Sequence, residues 1–364
     1  MIVNPKSWLR ATAAAALILP LGLAAPTAAG AANWSVYAQG FNNPRELKFG
    51  PDGLLYVAEG GTGGTDSTVG QCTQAAGPPA GPGPYKGSPT GGRISKVVNG
   101  TRVTVNDKFA SSQTSDAFGD LVSGVADIAW IGGNLYALTA GGGCSHGVLH
   151  HPNGIYRVNG NNTPTLVANL SAFQMANPTA HEEADDFEPD GTWYSMVALR
   201  GDLYAVEPNH GELDRITTSG AISRVADISA SQGHIVPTVV AVHGNFYVGN
   251  LNTFPISGGA SKVLKITPSG YVTPVAWGLN TVLGIAFDNR ARMYVLENTV
   301  GAPGPTPGLG DIIRIDPNGK KTIVISGLNL PTGMTMGPDG ALYVSVWGFG
   351  APPGTGQVLR ISGL

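Results

Sequence analysis

Short apolar stretches alternate with polar positions along most of the chain after about residue 33. The alternation has a period of two residues, and turn-forming pairs such as Asn-Gly and Asp-Gly separate the stretches, which is typical of β-hairpins. After the first 30 residues, no long segment has the apolar spacing of three to four residues that a helix requires. The pattern therefore predicts an all-β protein.

One phrase containing a tyrosine recurs along the chain, as "LLYVAE", "LYALTA", "LYAVEP", "FYVGNL", "MYVLEN" and "LYVSVW". Its tyrosines are Tyr56, Tyr136, Tyr204, Tyr247, Tyr294 and Tyr343. The last three separations are 43, 47 and 49 residues, close to the length of one propeller blade. The first two, 80 and 68 residues, fit one blade that carries an insertion.

Each unit predicts four strands. An apolar strand such as "LGIAFD" precedes the phrase, a third strand such as "KVLKITP" follows a loop, and a fourth such as "KTIVISG" follows a tight turn. Six units of four antiparallel strands predict a six-bladed β-propeller. A β-sandwich and a β-solenoid are the alternatives, but a sandwich does not need matched units and a solenoid usually has a shorter period.

The last unit lacks its fourth strand, and the missing strand is found at the other end of the chain. The segment "WSVYAQGFNNP" (34–44) resembles "KTIVISGLNLP" (321–331). We therefore expect the N-terminal strand to complete the last blade and close the ring, which removes exposed sheet edges.

The first 32 residues predict a signal peptide, followed by the propeller over 33–364. Lys6 and Arg10 precede an apolar run at 11–25, and small residues follow it. An uncleaved anchor is the alternative, but the run is shorter than the ~20 residues of a spanning helix. We expect a secreted or periplasmic protein with no membrane span in the mature chain.

Cysteine content and charge narrow the possible partners. In an exported protein, Cys72 and Cys144 predict a disulfide, with two buried free thiols as the alternative. The net charge is −3 and no basic block is present, so nucleic acid and anionic membrane surfaces are not expected partners. We expect a monomer that binds a small molecule or a protein.

The longest variable segments should share one face of the disk. They join the second and third strands of their blades or link two blades, and they are 60–92, 140–153, 171–192, 250–261, 298–310 and 347–356. Variable loops on one side of a rigid scaffold commonly form binding sites. We call this side the loop face.

Polar residues recur at the third position after the repeat tyrosine. The six residues there are Glu59, Thr139, Glu207, Asn250, Glu297 and Val346. The carboxylates and the amide among them could hold a divalent cation such as calcium or act as acid and base. Alternatively, they cap turns or pair with a neighbouring blade. The acidic segment 180–191 is a second calcium candidate, but it lacks the spacing of a calcium loop.

Aromatic residues in or beside the loop face could stack on a ligand, or could pack between blades. They are Trp193, Tyr194, Phe254, Trp347 and Phe349. Neither a serine nucleophile elbow nor a phosphate-binding P-loop occurs in the sequence. The loop histidines show no metal-ligand spacing, and each is interpreted as a surface or turn residue.

The segments "VPTVVAVHGNFYVGNLNTFPISGGASKVLKI" (236–266) and "LPTGMTMGPDGALYVSVWG" (330–348) resemble the ScyD/ScyE family of exported bacterial propeller proteins. The similarity runs from about Trp34 to Leu364, and "VGNLNTFP" is its most specific part; the repeat phrase is shared with many NHL-like propellers. The start of the third blade, "TWYSMVAL", departs from the family. The resemblance implies a six-bladed propeller outside the cytoplasm, named after genes clustered with biosynthesis of the pigment scytonemin. It transfers no established catalytic residues to this sequence.

Two hypotheses follow. The favoured one is a binding or scaffold protein, accessory to secondary-metabolite biosynthesis. The alternative is an enzyme, either a lactonase-like hydrolase or a strictosidine-synthase-like enzyme, with a site on the loop face of the central channel. Lactonases hold a divalent metal with Glu, Asn and Asp at the starts of their innermost strands. The matching positions here are near Arg45, Val125, Tyr194, Thr238, Leu283 and Thr332, none of which is a carboxylate or Asn. Arg45 is instead a candidate binding residue of the loop face. An enzyme would need a new site, for example at Glu59, Glu207 and Glu297.

Overall fold

The computed structural model describes residues 32–78, 81–118, 121–182 and 188–364. These residues form six small antiparallel sheets. The first strand of each sheet contacts the first strands of the next and the previous sheet, so that the sheets form a ring around a central channel. The six-bladed β-propeller predicted from the sequence is confirmed. The predicted signal peptide lies almost wholly outside the described residues.

The strands follow one another blade by blade. The chain starts with β1 (Asn33–Phe41), which belongs to blade 6. Blade 1 contains β2 (Pro44–Phe49), β3 (Leu55–Glu59), β4 (Lys86–Val98), β5 (Thr101–Gln113) and β6 (Val122–Ser123). Blade 2 contains β7 (Val125–Ile131), β8 (Asn134–Thr139), β9 (Gly154–Arg157) and β10 (Thr165–Asn169). Blade 3 contains β11 (Ser195–Leu199), β12 (Asp202–Glu207), β13 (Glu212–Thr217) and β14 (Ile222–Asp227).

The remaining blades have four strands each. Blade 4 contains β15 (Pro237–His243), β16 (Asn245–Asn250), β17 (Ser261–Ile266) and β18 (Val272–Leu279). Blade 5 contains β19 (Val282–Phe287), β20 (Met293–Glu297), β21 (Gly310–Ile315) and β22 (Lys321–Leu328). Blade 6 contains β23 (Gly333–Met336), β24 (Leu342–Val346), β25 (Gly356–Ser362) and β1.

The helices among the described residues are short and lie in the connections. They are α1 (Leu170–Ala176), α2 (Ser229–Gln232) and two single 3₁₀ turns at Asp116–Phe118 and Cys144–His146. No helix in the described parts of the chain has both the length and the apolar character needed to cross a membrane.

The ring is closed by the N-terminal strand, as the sequence predicted. β1 runs antiparallel to β25, with Trp34 opposite Ile361 and Val36 opposite Leu359. Blade 6 is therefore built from both ends of the described chain. This pairing covers the edge of β25, which would otherwise present unpaired backbone groups.

The core of the described residues is divided into six apolar clusters, one between each pair of adjacent blades. Blade 3 shows why. Leu203 and Ala205 on β12 pack toward blade 2, whereas Val206 on the same strand packs toward blade 4. Because side chains alternate between the two faces of a strand, the period of two in the sequence supplies one apolar layer to each neighbour.

Two of the repeat tyrosines, Tyr56 and Tyr343, stabilise the tight "PDG" turns on the face opposite the loops. The Tyr56 hydroxyl donates to Asp52 Oδ2 at 2.9 Å, and the Tyr343 hydroxyl donates to Asp339 Oδ2 at 3.1 Å. Arg360 Nε also donates to Asp339, at 2.8 Å. The recurring "PDG" and "LYV" phrases are thus coupled within a blade, which accounts for their repetition together.

Blade 1 departs from the four-strand expectation. β4 begins at Lys86 rather than at the end of the expected loop 60–92, and the short β6 adds a fifth strand. The added first residues of β4, 86–92, show no alternation of apolar and polar positions, so the sequence pattern does not predict that they form a strand. A register shift between Ser88 and Gly92 bends the hairpin, and a Cβ atom at Gly92 would lie 2.5 Å from the Ala110 carbonyl oxygen.

Candidate ligand-binding cavity

A cavity of about 950 Å³ lies where the loop face meets the central channel. The starts of the innermost strands surround it. Five residues of this inner ring line the cavity, and they are Arg45, Val125, Tyr194, Thr238 and Leu283. These are five of the six positions that correspond to the metal-holding positions of lactonases. The sixth, Thr332, is fully buried and is not among the lining residues.

The walls come from loops of several blades. Tyr85 and Glu188 contribute polar groups, whereas Leu251, Phe254 and Phe349 contribute apolar surface. Most of the inner ring and much of the wall are apolar or aromatic. A cavity of this size and character suits a small organic molecule.

Arg45 is the prominent cation of the inner ring. Its Nη2 donates to the Val122 carbonyl oxygen, and its guanidinium carbon lies 5.9 Å from the centre of the Phe349 ring. Among the described residues, no carboxylate lies within 4.0 Å of the Arg45 side-chain nitrogens. A guanidinium has five N–H donors, so Arg45 keeps donors for a ligand.

Tyr194 lies beside Arg45 and provides a neutral hydroxyl. Its hydroxyl donates to the Thr332 carbonyl oxygen at 3.1 Å. Burial raises the pKa of Tyr194 well above its ordinary value, and the nearby Arg45 cation only partly opposes this effect. At neutral pH Tyr194 is therefore a phenol rather than a phenolate.

Deeper in the channel, an ion pair joins blades 1 and 2. Lys48 Nζ lies 2.5 Å from Asp127 Oδ1, and the Met196 N–H donates to Asp127 Oδ2 at 2.6 Å. Burial raises the pKa of the neighbouring Glu46 carboxyl, and the Asp127 charge raises it further. None of these three ionisable side chains lines the cavity.

One wall carries a network of buried polar side chains. The Tyr85 hydroxyl donates to Glu188 Oε1, and His146 Nε2 lies 3.1 Å from Glu188 Oε2. The Tyr85 and His146 rings are stacked, with their centres 4.7 Å apart. Glu188 and Tyr85 line the cavity, and His146 lies behind them.

The disulfide predicted from the sequence is confirmed, and it supports this wall. Cys72 and Cys144 are bonded across 72 residues of sequence. The link connects the long loop of blade 1 to the 3₁₀ turn that contains His146. Asn153 holds the same region, since its side chain donates to Gly191 O at 2.8 Å and accepts from Gly142 N–H at 2.7 Å.

The predicted site residues divide into two groups. Arg45 and Trp193 line the cavity. The others do not, and they are Glu59, Glu207, Asn250, Glu297 and Trp347. Trp347 packs against the apolar cluster between blades 5 and 6. Its backbone N–H donates to the Asn329 carbonyl oxygen at 2.8 Å.

The four polar residues of the second group share one contact. Each hydrogen-bonds the backbone of the segment that leads into its own blade. Asn42 N–H donates to Glu59 at 2.6 Å, and Thr192 N–H donates to Glu207 at 2.9 Å. Asn250 Nδ2 donates to the Ile235 carbonyl at 2.8 Å, and Asn280 N–H donates to Glu297 at 2.6 Å. These contacts give the four residues a structural role, and ligand binding by them stays a prediction.

All three of these carboxylates have a charged or titratable neighbour on the third strand of their blade. Glu207 lies opposite Glu212 across β12 and β13. Arg93 Nη2 lies 2.5 Å from Glu59 Oε2. Asp311 is paired with Glu297 across β20 and β21, and burial together with the Glu297 charge raises the pKa of Asp311 to about 8. All three pairs are largely enclosed by protein.

The residues present do not form a metal centre of the lactonase type. The inner ring offers Val125 and Leu283 where a metal would need oxygen ligands. Among the described residues, no three His, Cys, Asp or Glu side chains are placed to hold a metal ion. Part of the acidic segment, 183–187, lies outside the described residues. Calcium binding by the loop face therefore stays a prediction.

Sequence reasoning did not identify the network of Tyr85, His146 and Glu188. The sequence predicts a surface or turn position for His146, which is wrong, because the structure buries the residue completely. The three residues are far apart in the sequence and lie in segments without strand periodicity. Of the three, only Glu188 belongs to a segment that the sequence marks as a candidate site, the acidic run 180–191, and that run suggests calcium binding.

The sequence matches no known family model and no curated protein. The fold is similar to a protein from Thermus thermophilus titled as an oxidoreductase (glucose dehydrogenase), with a TM-score of 0.54 and 16% identity, covering 91% of this chain and 100% of that one. A second glucose dehydrogenase has a TM-score of 0.52 and 13% identity, covering 91% and 99%. A streptogramin B lyase structure has a TM-score of 0.47 and 13% identity, covering 92% and 100%. At these identities the likeness concerns the fold alone.

Proposed function

We propose that this protein is an exported binding propeller whose cavity holds a small aromatic molecule with an acidic group. The observation that carries the proposal is the Arg45 guanidinium. It faces a largely apolar cavity and has no carboxylate partner among the described residues. Hydrogen bonds between a guanidinium and a carboxylate are roughly twice as strong as neutral ones.

The aromatic part of the ligand is argued from the lining. Phe349 lies against Arg45, and Phe254 is 58% exposed on the wall. Exposed aromatic faces favour stacking with a flat ring. A ligand with an acidic group at one end and a ring at the other would use both features of the cavity.

The cellular role rests on the resemblance to the ScyD/ScyE family. That resemblance supports an exported propeller accessory to secondary-metabolite biosynthesis, either as a carrier of a small aromatic compound or as a scaffold for a partner protein. The Cys72–Cys144 disulfide supports an oxidising compartment, where such bonds persist.

The alternative, a lactonase-like hydrolase or a strictosidine-synthase-like enzyme, receives less support. Its metal-dependent form needs oxygen ligands in the inner ring, and Arg45, Val125 and Leu283 supply none. A reaction on this cavity would have to use groups of the wall instead.

The test is calorimetric titration of the full exported chain with benzoate, 2-naphthoate and indole-3-acetate, each compared with its neutral amide. We expect at least one acid to bind about tenfold or more tightly than its amide. Arg45→Gln should lower that acid's affinity about tenfold or more, since a hydrogen bond to a charged group contributes about 1.5–3 kcal/mol and 1.4 kcal/mol is tenfold.

The matched control is Arg157→Gln on β9. Arg157 is exposed and does not line the cavity, so its replacement should leave the affinity unchanged. Equal affinities for acid and amide, or an acid affinity that Arg45→Gln leaves intact, would overturn the proposal. So would the absence of binding by every member of the panel.

A further inference from the structure

We propose that Glu188 is a proton acceptor on the cavity wall, so that the site removes a proton from an aromatic carbon acid or hydroxyl compound bound beside Arg45. This inference rests on the proposed function for the position of the ligand.

The position of Glu188 differs from that of the other buried glutamates of the loop face. The carboxylates of Glu59 and Glu297 accept backbone N–H groups and lie outside the cavity. Glu188 lines the cavity although the residue is only 3% exposed, and its carboxylate contacts two side chains of other loops, Tyr85 and His146. Within the described ranges, the Glu188 carboxylate accepts no hydrogen bond from a backbone N–H group.

The geometry leaves one oxygen able to receive a proton. The Tyr85 hydroxyl donates to Oε1, and a carboxylate oxygen has two lone pairs, so one remains. Oε2 is buried and lies 3.1 Å from His146 Nε2, and neither of these two atoms has a hydrogen-bond partner among the described residues. Oε1 is therefore the reacting atom, and Tyr85 and His146 are positioning residues.

The positioning residues are themselves held in place. The Tyr85 and His146 rings stack at an interplanar angle of 24°. His146 Nδ1 lies 3.3 Å from Ser145 Oγ, and Ser145 Oγ donates to Asp190 Oδ2 at 2.7 Å. A carboxylate fixed in this way needs little rearrangement when it accepts a proton, which is the general advantage of a preorganised site.

The step balances without a cofactor. The C–H or O–H bond of the ligand breaks, the proton moves to Glu188 Oε1, and the electron pair stays on the ligand as an anion. The Arg45 guanidinium, which lines the same cavity, is available to stabilise that anion. Glu188 then returns its proton to water or to the product.

The probe is 5-nitrobenzisoxazole, a flat aromatic carbon acid. A base removes the proton on C3, the N–O bond breaks, and its electron pair remains on oxygen as a coloured phenolate. We expect the full exported chain to accelerate this reaction above the buffer rate, and Glu188→Gln to lower the acceleration about 100-fold, since general bases typically contribute 10²–10⁴-fold.

The matched control is Glu182→Gln, six residues earlier in the same segment. Glu182 pairs with His210 and does not line the cavity, so this variant should keep the full rate. Glu188→Ala should be inactive and should regain activity when formate is added. If Glu188→Gln does not fold, Glu188→Asp replaces it, with an expected loss of about tenfold.

Binding of the aromatic acids separates the two proposals. If an acid binds in an Arg45-dependent manner but the probe reacts no faster than in buffer, or equally fast with Glu188→Gln, this inference is overturned and the proposed function stands. If no acid binds while the probe reaction depends on Glu188, the proposed function fails and the proton acceptor stands.

Discussion

The carboxylate of Glu297 accepts a hydrogen bond of 2.6 Å from the backbone N–H of Asn280, the residue two positions before the first strand of the same blade. Glu59 has the same relation to Asn42, also at 2.6 Å. The residue that ends the second strand thus holds the chain as it enters the blade. This contact explains why polar residues recur at that position without facing the cavity.

Replacement of Glu297 by alanine should therefore destabilise the protein without affecting ligand binding. The Asn280 N–H would lose its acceptor, and a buried polar group without a partner costs about 1–3 kcal/mol in the free energy of unfolding. Glu297→Gln keeps an acceptor oxygen and should cost less. Urea unfolding of both variants measures the difference, and equal losses would contradict the role assigned to this hydrogen bond.

The pair of Glu297 and Asp311 predicts a fall in stability as the pH rises. Burial, assisted by the Glu297 charge, raises the pKa of Asp311 to about 8, whereas an unfolded aspartate titrates near 3.9. Between these values the folded state binds the extra proton. The free energy of unfolding contributed by Asp311 is therefore full below about pH 4 and is lost as the pH rises through about 8.

Urea unfolding at several pH values between about 5 and 8 tests this prediction. Asp311→Asn keeps a hydrogen-bond donor but cannot titrate, so the stability of this variant should fall less over the interval. Asp116→Asn is the control, because the Asp116 side chain is 82% exposed. Parallel curves for the wild-type protein and Asp311→Asn would show that Asp311 is not the group responsible.

The disulfide should contribute substantially to stability. It joins residues 72 positions apart, and closing a loop of that length is worth about 4 kcal/mol in the chain-entropy model. The double variant Cys72→Ser with Cys144→Ser should lose about that amount in urea unfolding. The native protein should take up iodoacetamide only after reduction; labelling without reductant, followed by mass spectrometry, would reveal a free thiol.

Much of the fold could be predicted because it depends on local, repeated signals. The six "LYV" phrases, their tight turns and the likeness of 34–44 to 321–331 led to the blade number and to the closure by β1, and the structure confirms both. The boundary of β4 could not be predicted in the same way. Its first residues, from Lys86 to Gly92, lack apolar alternation and are held by backbone pairing with β5.

The cavity, in contrast, could be predicted only in part, because much of its wall comes from loops. The sequence predicts Arg45 from its place near the start of an innermost strand and Trp193 as an aromatic residue beside the loop face, and both line the cavity. Glu188 was noticed only as one member of an acidic run. Its function depends on Tyr85 and His146, which come from loops of two other blades.

The sequence by itself determined the repeat, the number of blades, the closure and the disulfide pairing, since each follows from strand periodicity or from the presence of only two cysteines. The tertiary structure decided which polar side chains face the cavity and which bind backbone. The physical reason is that periodicity fixes the direction of a side chain only within a strand. The loops have no such period, and the contacts between Tyr85, His146 and Glu188 exist only once the blades have closed into a ring.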